Sequence, residues 1–418
     1  MMVAPSEPIE MKRYTGSQRA AALMLVLGKE HGAPIWEHLS VEEIKDLSSA
    51  MAQLGRVPAT VAEHLLVTFS GEVGSMNRLH GSFETTERLP TDHARRLRVD
   101  PVHQESRMPS TIAQIITEIA AEITDDAARI EASADRKEDA APGPIGIAVA
   151  LTSGTLLTAG AATTAFPIQS ISKLFALDLA LAAIGDDVFA RVGKEPSGDP
   201  FNSIVDLERT KGVPRNPFIN AGALAVVDIL VEHRPEDGDD PAVARLIGRE
   251  TGSDGVTFDE EVMASEQEGG DLNRAMMSFM RHHGNLDADP DAVMAAYVRN
   301  CAIALDCRGL AKAGAYLAAT RRTPDDPEAD AVAKRHRTVL GLMITCGHYD
   351  GSGDFAVRVG LPAKSGVGGG ILAIVPDRAA IAVWSPNLDQ HGNSILGIRA
   401  LEMIAHRTGW SVFGPPLV

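Results

Sequence analysis

Ser170 and Lys173 are the two side chains in this 418-residue chain whose types and spacing point most directly to chemistry. They stand in Phe166-Pro-Ile-Gln-Ser-Ile-Ser-Lys-Leu-Phe-Ala-Leu-Asp-Leu-Ala-Leu181, which opens with turn-like residues and then turns apolar on nearly every side. A helix of that composition belongs at the centre of a domain. Three residues apart, the two side chains share one face of its first turn. A serine oxygen needs a base before it attacks an acyl carbon. A lysine can be that base if desolvation lowers its pKa, and a helix N-terminus favours the negative charge that develops. The plain alternative is a capped helix start with a snorkelling lysine, so the pair gains its meaning from what accompanies it.

Three features accompany it. Lys364-Ser-Gly-Val-Gly-Gly-Gly370 leads directly into an apolar strand, without the Gly-x-x-x-x-Gly-Lys spacing of a phosphate loop. Its glycines let a substrate approach the backbone, and an N–H near Val367 could complete an oxyanion hole with that of Ser170. Tyr297 and Tyr349, two of only four tyrosines, fall in polar, cysteine-containing contexts, Tyr297-Val-Arg-Asn-Cys301 and Thr345-Cys-Gly-His-Tyr-Asp-Gly-Ser352. A phenol there can relay a proton or bind a carboxylate. Asn216, Asn220, Glu266 and Asn273 suit a small zwitterion, the carboxylate meeting an ammonium and the amides a carboxylate and a carbonyl. Taken singly, each of these is also accounted for as a cap, turn or core residue. Metal readings fail. His282-His283 has no partner at ligand spacing, and Asp287-Ala-Asp-Pro-Asp291 begins like a calcium loop but has Ala292 where Gly is needed and Val298 where Glu is needed. Asp289 and Pro290 instead predict a helix cap followed by Pro at the first helical position. No metal and no cofactor is expected.

These residues need a frame. After Ser110, the residues Ile112, Ile115, Ile116, Ile119 and Ile123 form one apolar helical stripe, and the polar stretch from Asp125 to Pro144 predicts a loop. Residues 145–151 and 155–158 read as one β-hairpin and residues 371–378 and 379–385 as another. A closing helix runs from Asn393 to Thr408, with Ile395, Ile398 and Ile404 inward, and stops at Gly409. The prediction is an α+β domain, an antiparallel sheet with flanking helices and a helical insertion between the hairpins. Ahead of it, three helices are expected. The first is capped by Thr15 or Ser17, the second opens with the capping box Ser40-Val-Glu-Glu43, and the third follows Pro58. They predict a small all-α bundle over residues 1–89 that binds a partner, joined by a linker at 90–109 to the domain at 110–418.

The totals narrow the classes. At 44% hydrophobic and 23% charged, the composition is that of a soluble globular protein. A net charge of -17 opposes a nucleic-acid partner, and no window is apolar enough to span a membrane. The start lacks the basic flank and apolar run of a signal peptide. Cys301, Cys307 and Cys346 are too few and too oddly spaced for a disulfide framework, so a reducing cytoplasm is the expected setting.

Lys364-Ser-Gly resembles the Lys-Thr-Gly element that accompanies Ser-x-x-Lys in penicillin-recognising enzymes. Residues from about 110 to 418 resemble more specifically the serine-dependent bacterial glutaminases, relatives of the β-lactamase and transpeptidase fold. The resemblance runs through Phe166-Pro-Ile-Gln-Ser-Ile-Ser-Lys173, residues 191–204, Gly212-Val-Pro-Arg-Asn-Pro-Phe-Ile-Asn-Ala-Gly-Ala223, Thr345-Cys-Gly, residues 358–370 and residues 384–394. It implies hydrolysis of L-glutamine to L-glutamate and ammonia without a cofactor, by a cytoplasmic homo-oligomer. It implies Ser170 as nucleophile and Lys173 as base, with Tyr297 a catalytic candidate beside them. Asn220, Glu266, Asn273, Tyr297, Tyr349 and Val367 would bind substrate. Departures accompany it. Asp125-Asp-Ala-Ala-Arg-Ile-Glu131 stands where the family has Gly-x-x-Ala-x-Tyr-Ile-Pro, with Arg129 at its active-site tyrosine. Leu272 and Asn300 replace an arginine and a glutamine.

The first ninety residues resemble the N-terminal domain of the flagellar motor-switch protein FliG, through residues 15–23, His38-Leu-Ser-Val-Glu-Glu-Ile44, residues 54–58, 61–66 and 81–89. That resemblance implies a docking domain with a protein partner. Two further readings stay open: a flagellar or scaffold protein carrying a decayed glutaminase domain, and another amidase on the same scaffold.

Overall fold

The computed structural model describes residues 111–414, apart from 138–139, 198–202, 234–240 and 254, together with residues 20–22, 47 and 50. The chain divides into two compact units, Met1–Ser106 and Arg107–Val418. In the first, the described residues are helical, and Ala21, Ala22, Leu47 and Ala50 are buried. The caps, the third helix and the linker expected there lie outside the described residues.

The second unit opens with α1 (Ile112–Ala132), capped by Thr111 in a capping box with Gln114. Its apolar stripe is the expected one, but the helix continues to Ala132, through residues 125–131 that the sequence reading assigned to a loop. Two of those residues are buried, Ala127 and Glu131. Polarity points to a loop here, but hydrogen bonds from Asn387 and the Gly143 N–H compensate the Glu131 carboxylate and allow it to be buried.

The sheet is fully antiparallel, in the order β2-β1-β8-β7-β6. It comprises β1 (Gly146–Leu151), β2 (Leu156–Gly160), β6 (Ala363–Ser365), β7 (Gly370–Val375) and β8 (Ala379–Trp384). The two predicted hairpins are β1–β2 and β7–β8, and they join through β1 and β8, with Gly146 opposite Trp384. Alternation along the strands sorts the two faces. Ile147, Val149, Ile371, Ala373, Ile381 and Val383 face a core completed by α1 and the closing helix α13 (Ile395–Thr408). Ala148, Ala150, Leu372, Ile374, Ala380 and Ala382 face the larger core.

That larger core is built around α2 (Ser172–Ile184), in which residues 172–181 are all buried. The helical insertion between the hairpins continues with α3 (Val188–Arg191), α4 (Val205–Arg209), α5 (Asn220–His233), α6 (Ala242–Thr251), α7 (Glu260–Glu268), α8 (Asp271–His282) and α9 (Pro290–Ala302). The helices α10 (Cys307–Gly314), α11 (Pro327–Cys346) and α12 (Ser352–Arg358) complete it. As expected, Asp289 caps α9 and Pro290 is its first residue. A second small sheet, β3 (Phe166–Pro167), β5 (Ile303–Leu305) and β4 (Thr257–Phe258), fastens the segment before α2 to the end of α9. Asp178, buried on α2, takes Arg335 at 2.8 Å and the Tyr316 hydroxyl at 3.2 Å, so the polar residue inside the apolar helix is paired.

Gly222 marks the closest backbone approach at the start of α5. A Cβ there would lie 1.9 Å from the Asn216 carbonyl oxygen. Within a helix Gly→Ala is ordinarily favourable by about 1 kcal/mol. Here the sign reverses: Gly222→Ala must push the 216–220 turn away and is expected to cost about 1–3 kcal/mol, read as a lowered urea midpoint.

Candidate active site

Ser170 sits in a 3-10 turn, Gln169–Ile171, that runs straight into α2. The tighter turn eclipses side chains three apart, which keeps Ser170 and Lys173 on one face. Gln169, just before the serine, has φ +48°, and Tyr349 has φ +53°. Such left-handed backbone in a residue with a side chain costs about 1–3 kcal/mol and persists where the surroundings impose it. Ser172 Oγ donates to the Gln169 carbonyl at 2.8 Å and steadies the turn.

Lys173 is 3% exposed. Its ammonium donates to Asn220 Oδ1 at 2.7 Å and to the Phe218 carbonyl at 3.4 Å, and lies 5.9 Å from the centre of the Tyr297 ring. Burial pulls its pKa down to about 8, against the opposing pull of Cys301 and Glu266. Asn220 opens α5 and passes the contact on, its Nδ2 donating to Asn273 Oδ1 on α8 at 3.4 Å. Glu266 on α7 is half-buried, and burial raises its pKa while the Lys173 charge opposes the rise. Five of the residues singled out in the sequence thus converge from five helices: Lys173, Asn220, Glu266, Asn273 and Tyr297.

The two tyrosines take different stations. Tyr297 is buried on α9 beside Lys173, with Cys301 one turn on, and burial followed by the Cys301 thiol and Glu266 pushes its phenol well above the ordinary value. Tyr349 lies against Ser170 itself; burial pushes it up to about 12, and the serine contact opposes the rise. Lys364 on β6 packs below, fully buried, 4.4 Å from the centre of the Tyr349 ring. Its ammonium donates to the carbonyls of Gly347 at 3.1 Å and Ser365 at 2.6 Å. Burial, then the charge of Lys173, hold its pKa well below the usual lysine range.

Val367 stands in the turn between β6 and β7, and that turn presses on the backbone leading to Ser170. A Cβ on Gly366 would lie 2.5 Å from the Ile168 carbonyl oxygen, and one on Gly368 would lie 2.2 Å from that of Pro167. The glycines are there for this approach.

Other candidates resolve into structural roles. Asn216 accepts from the backbone N–H of Phe218 and Ile219 at 3.0 and 3.2 Å and donates to Glu195, fixing the turn that presents Asn220. Arg129 is exposed on α1 and pairs with Asp126, so it points away from the apolar face of its helix. Leu272 is 41% exposed, whereas Asn300 is buried with its Oδ1 unpartnered among the described residues. Asp228, Glu232 and Asp287 converge, but the Arg191 guanidinium occupies them at 2.5, 3.9 and 3.4 Å.

The sequence reading missed His348. Its ring is 1% exposed, stacks on Phe355 with centroids 3.7 Å apart, and has no hydrogen-bond partner on either nitrogen among the described residues. Burial, then the charge of Lys364, hold its pKa well below the ordinary value. Its neighbour in the sequence, Tyr349, was the available signal. Because the folded pKa lies below that of the unfolded chain, unfolding takes up a proton as pH falls below about 6.5, and stability is lost in that direction. His348→Leu removes both orphan nitrogens and is expected to stabilise the fold by about 1–3 kcal/mol, with a larger gain at pH 5 than at pH 7.5 in urea unfolding.

A family model described as Glutaminase matches residues 135–413, and one described as FliG N-terminal domain matches residues 13–110. A glutaminase from Azorhizobium caulinodans is 54% identical over 270 residues, which is 64% of this chain and 87% of that protein. One from Methylobacterium sp. strain 4-46 is 49% identical over 306 residues, 72% of this chain and 99% of its own length. Among solved structures, a Bacillus glutaminase crystallised in 4.3 M NaCl is similar at a TM-score of 0.61 and 31% identity, over 72% of this chain and all of that one. The Bacillus subtilis glutaminase YbgJ, as a covalent complex with 5-oxo-L-norleucine formed from 6-diazo-5-oxo-L-norleucine, is similar at 0.58 and 28% identity, over 72% of this chain and 100% of that one.

Proposed function

The chain belongs to the glutaminase family, and we propose that it splits L-glutamine into L-glutamate and ammonia by acyl transfer through Ser170, with Lys173 as the base. The observation that carries this reading is the state of Lys173. A lysine base must be neutral when it acts, and burial brings this one down to about 8 while Asn220 orients it. Neutral Lys173 takes the Ser170 proton, and the serine oxygen attacks the side-chain amide carbon. The oxyanion is met by the backbone N–H groups of Ser170 and Val367. The C–N bond then breaks, and ammonia leaves with a proton returned by the Lys173 ammonium or through a phenol. Tyr349, against Ser170, is better placed for that relay than Tyr297, which stands on the lysine side. Water attacks the glutamyl ester, its proton passes to Lys173, and Ser170 leaves with a proton as glutamate is released.

Glu266 receives the ammonium of the substrate. Asn220, Asn273, Tyr297 and Tyr349 receive its carboxylate and carbonyl groups. The covalent adduct described for the Bacillus subtilis relative supports a nucleophile on this scaffold. Residues 110–418 are the catalytic domain in this reading, and residues 1–89 are a docking domain for a protein partner, which the match to the FliG N-terminal domain supports. No helix of the described residues is long and apolar enough to cross a membrane. A homo-oligomer is the expected state.

Ammonia release from L-glutamine by the full chain tests the catalytic reading, with Ser170→Ala alongside. Turnover is expected to vanish in the variant, and in the wild type kcat/KM should rise with pH through about 8 as Lys173 loses its proton. A wild-type rate that Ser170→Ala retains, or a profile flat from pH 6 to 9, contradicts it. For the docking domain, pull-down of flagellar membrane-ring protein by the full chain should fail once residues 1–89 are deleted; equal capture by both would remove the docking role.

A further inference from the structure

Glu131 is fully buried at the C-terminal end of α1, in the stretch where this chain departs from the glutaminase pattern. A buried carboxylate is costly unless paired and hydrogen-bonded. This one accepts from Asn387 Nδ2 at 2.7 Å on one oxygen and from the Gly143 backbone N–H at 3.4 Å on the other, with the Arg136 guanidinium 3.8 Å away. Its hydrogen-bond partners lie on two separate loops. Asn387 belongs to the 385–394 loop, and Gly143 to the segment that leads into β1.

Both loops lead to Val367. The Gly143 backbone rests on the Pro386 ring, where a Cβ would lie 2.6 Å from it, and Gly369 packs against Ser385 and Pro386, where a Cβ would lie 2.4 Å from the Ser385 carbonyl oxygen. The Ser385 N–H donates to the Gly369 carbonyl at 3.1 Å, and the Trp384 indole N–H to that of Gly368 at 2.9 Å. Further along the loop, Gly392 faces Val367, with Cγ1 3.3 Å from where a Cβ would stand. A second set of bonds ties the loop down beside the clamp: Gln390 donates through Nε2 to the Arg136 carbonyl at 2.6 Å and through its N–H to that of Asp135 at 3.0 Å. The 385–394 loop is therefore held on one side by Glu131 and its neighbours, and on the other it backs the glycine turn.

We propose that Glu131 is a positioning residue for the reaction: its buried carboxylate clamps the 385–394 loop and thereby sets the Val367 N–H against the oxyanion. The inference rests on the reading of Ser170 and Val367 given above. The oxyanion hole acts only at the distance set by the backbone, so a loosened turn weakens transition-state binding and leaves substrate binding in place. Lys173, on the other face of the sheet with α2, is untouched.

Steady-state glutaminase assays on the full chain test this with Glu131→Gln, which keeps the size but cannot accept on both oxygens, and Asn387→Ala, which opens the same clamp from its half-buried side should the first variant fail to fold. Each is expected to lower kcat about 10- to 100-fold with KM within about twofold of wild type. The rise of activity near pH 8 should stay where it is, and the double variant should fall no further than either single one. A kcat unchanged at a temperature where circular dichroism shows the variants folded would reduce Glu131 to a structural residue. So would a rise in KM alone, or losses that add in the double variant. A wild type that releases no ammonia overturns the glutaminase reading instead. In that case the clamp is read from the rate at which 6-diazo-5-oxo-L-norleucine labels Ser170, expected to slow in both variants, and equal labelling rates would overturn it.

Discussion

An ammonium group inside an apolar core is the constraint from which the rest of this structure follows. Lys173 lies in a helix buried over residues 172–181, and water cannot solvate its charge. A fall in pKa from 10.5 to about 8 corresponds to roughly 3 kcal/mol of stability forgone by the folded state below pH 8, recovered only as pH rises toward 10.5. The fold tolerates this because Asn220 and the Phe218 carbonyl meet the group at fixed positions. What they leave is a cation held weakly enough to give up its proton near neutral pH, which is the property a serine nucleophile needs in its neighbour.

The same bargain recurs around it. Lys364 is buried with only carbonyl oxygens as hydrogen-bond partners, and His348 with no partner on its ring among the described residues. Gln169 and Tyr349 hold left-handed backbone on either side of Ser170. Each of these features costs stability locally, and the two large apolar cores on either face of the antiparallel sheet offset the cost. The architecture therefore gathers several unfavourable groups around Ser170, where three buried bases and two phenols can influence each other through a medium that screens little.

Packing of backbone on backbone gives the site its second half. The glycine turn approaches the segment before Ser170 so closely that side chains at Gly366 or Gly368 would strike carbonyl oxygens. Behind that turn the 385–394 loop, the 135–143 segment and the end of α1 interlock through Glu131, Gly143 and Asn387. The geometry of the glycine turn thus depends on residues more than two hundred positions away in the chain, brought together by the pairing of β1 with β8.

The sequence by itself determined a good deal here. Alternation and helical stripes gave the two hairpins, the closing helix and the buried α2, because hydrophobic periodicity is a local property of a chain. Ser-x-x-Lys and Lys-Ser-Gly carry their own spacing, so Ser170, Lys173 and the turn at Val367 were legible, and the family followed from the blocks around them. Three matters were decided only by tertiary structure. Residues 125–131 look like a loop because the stretch is polar, with Asp125, Asp126, Arg129 and Glu131 all charged, and only the fold supplies the partners that let Glu131 sit in the interior. Tyr297 and Tyr349 are equivalent as text, yet one meets the lysine and the other the serine. Asn216 and Asn220 both looked like ligands, yet Asn216 is consumed by the backbone of its own turn. In each case the physical reason is the same: a polar side chain takes its role from the group opposite it, and which group that is depends on contacts between distant parts of the chain.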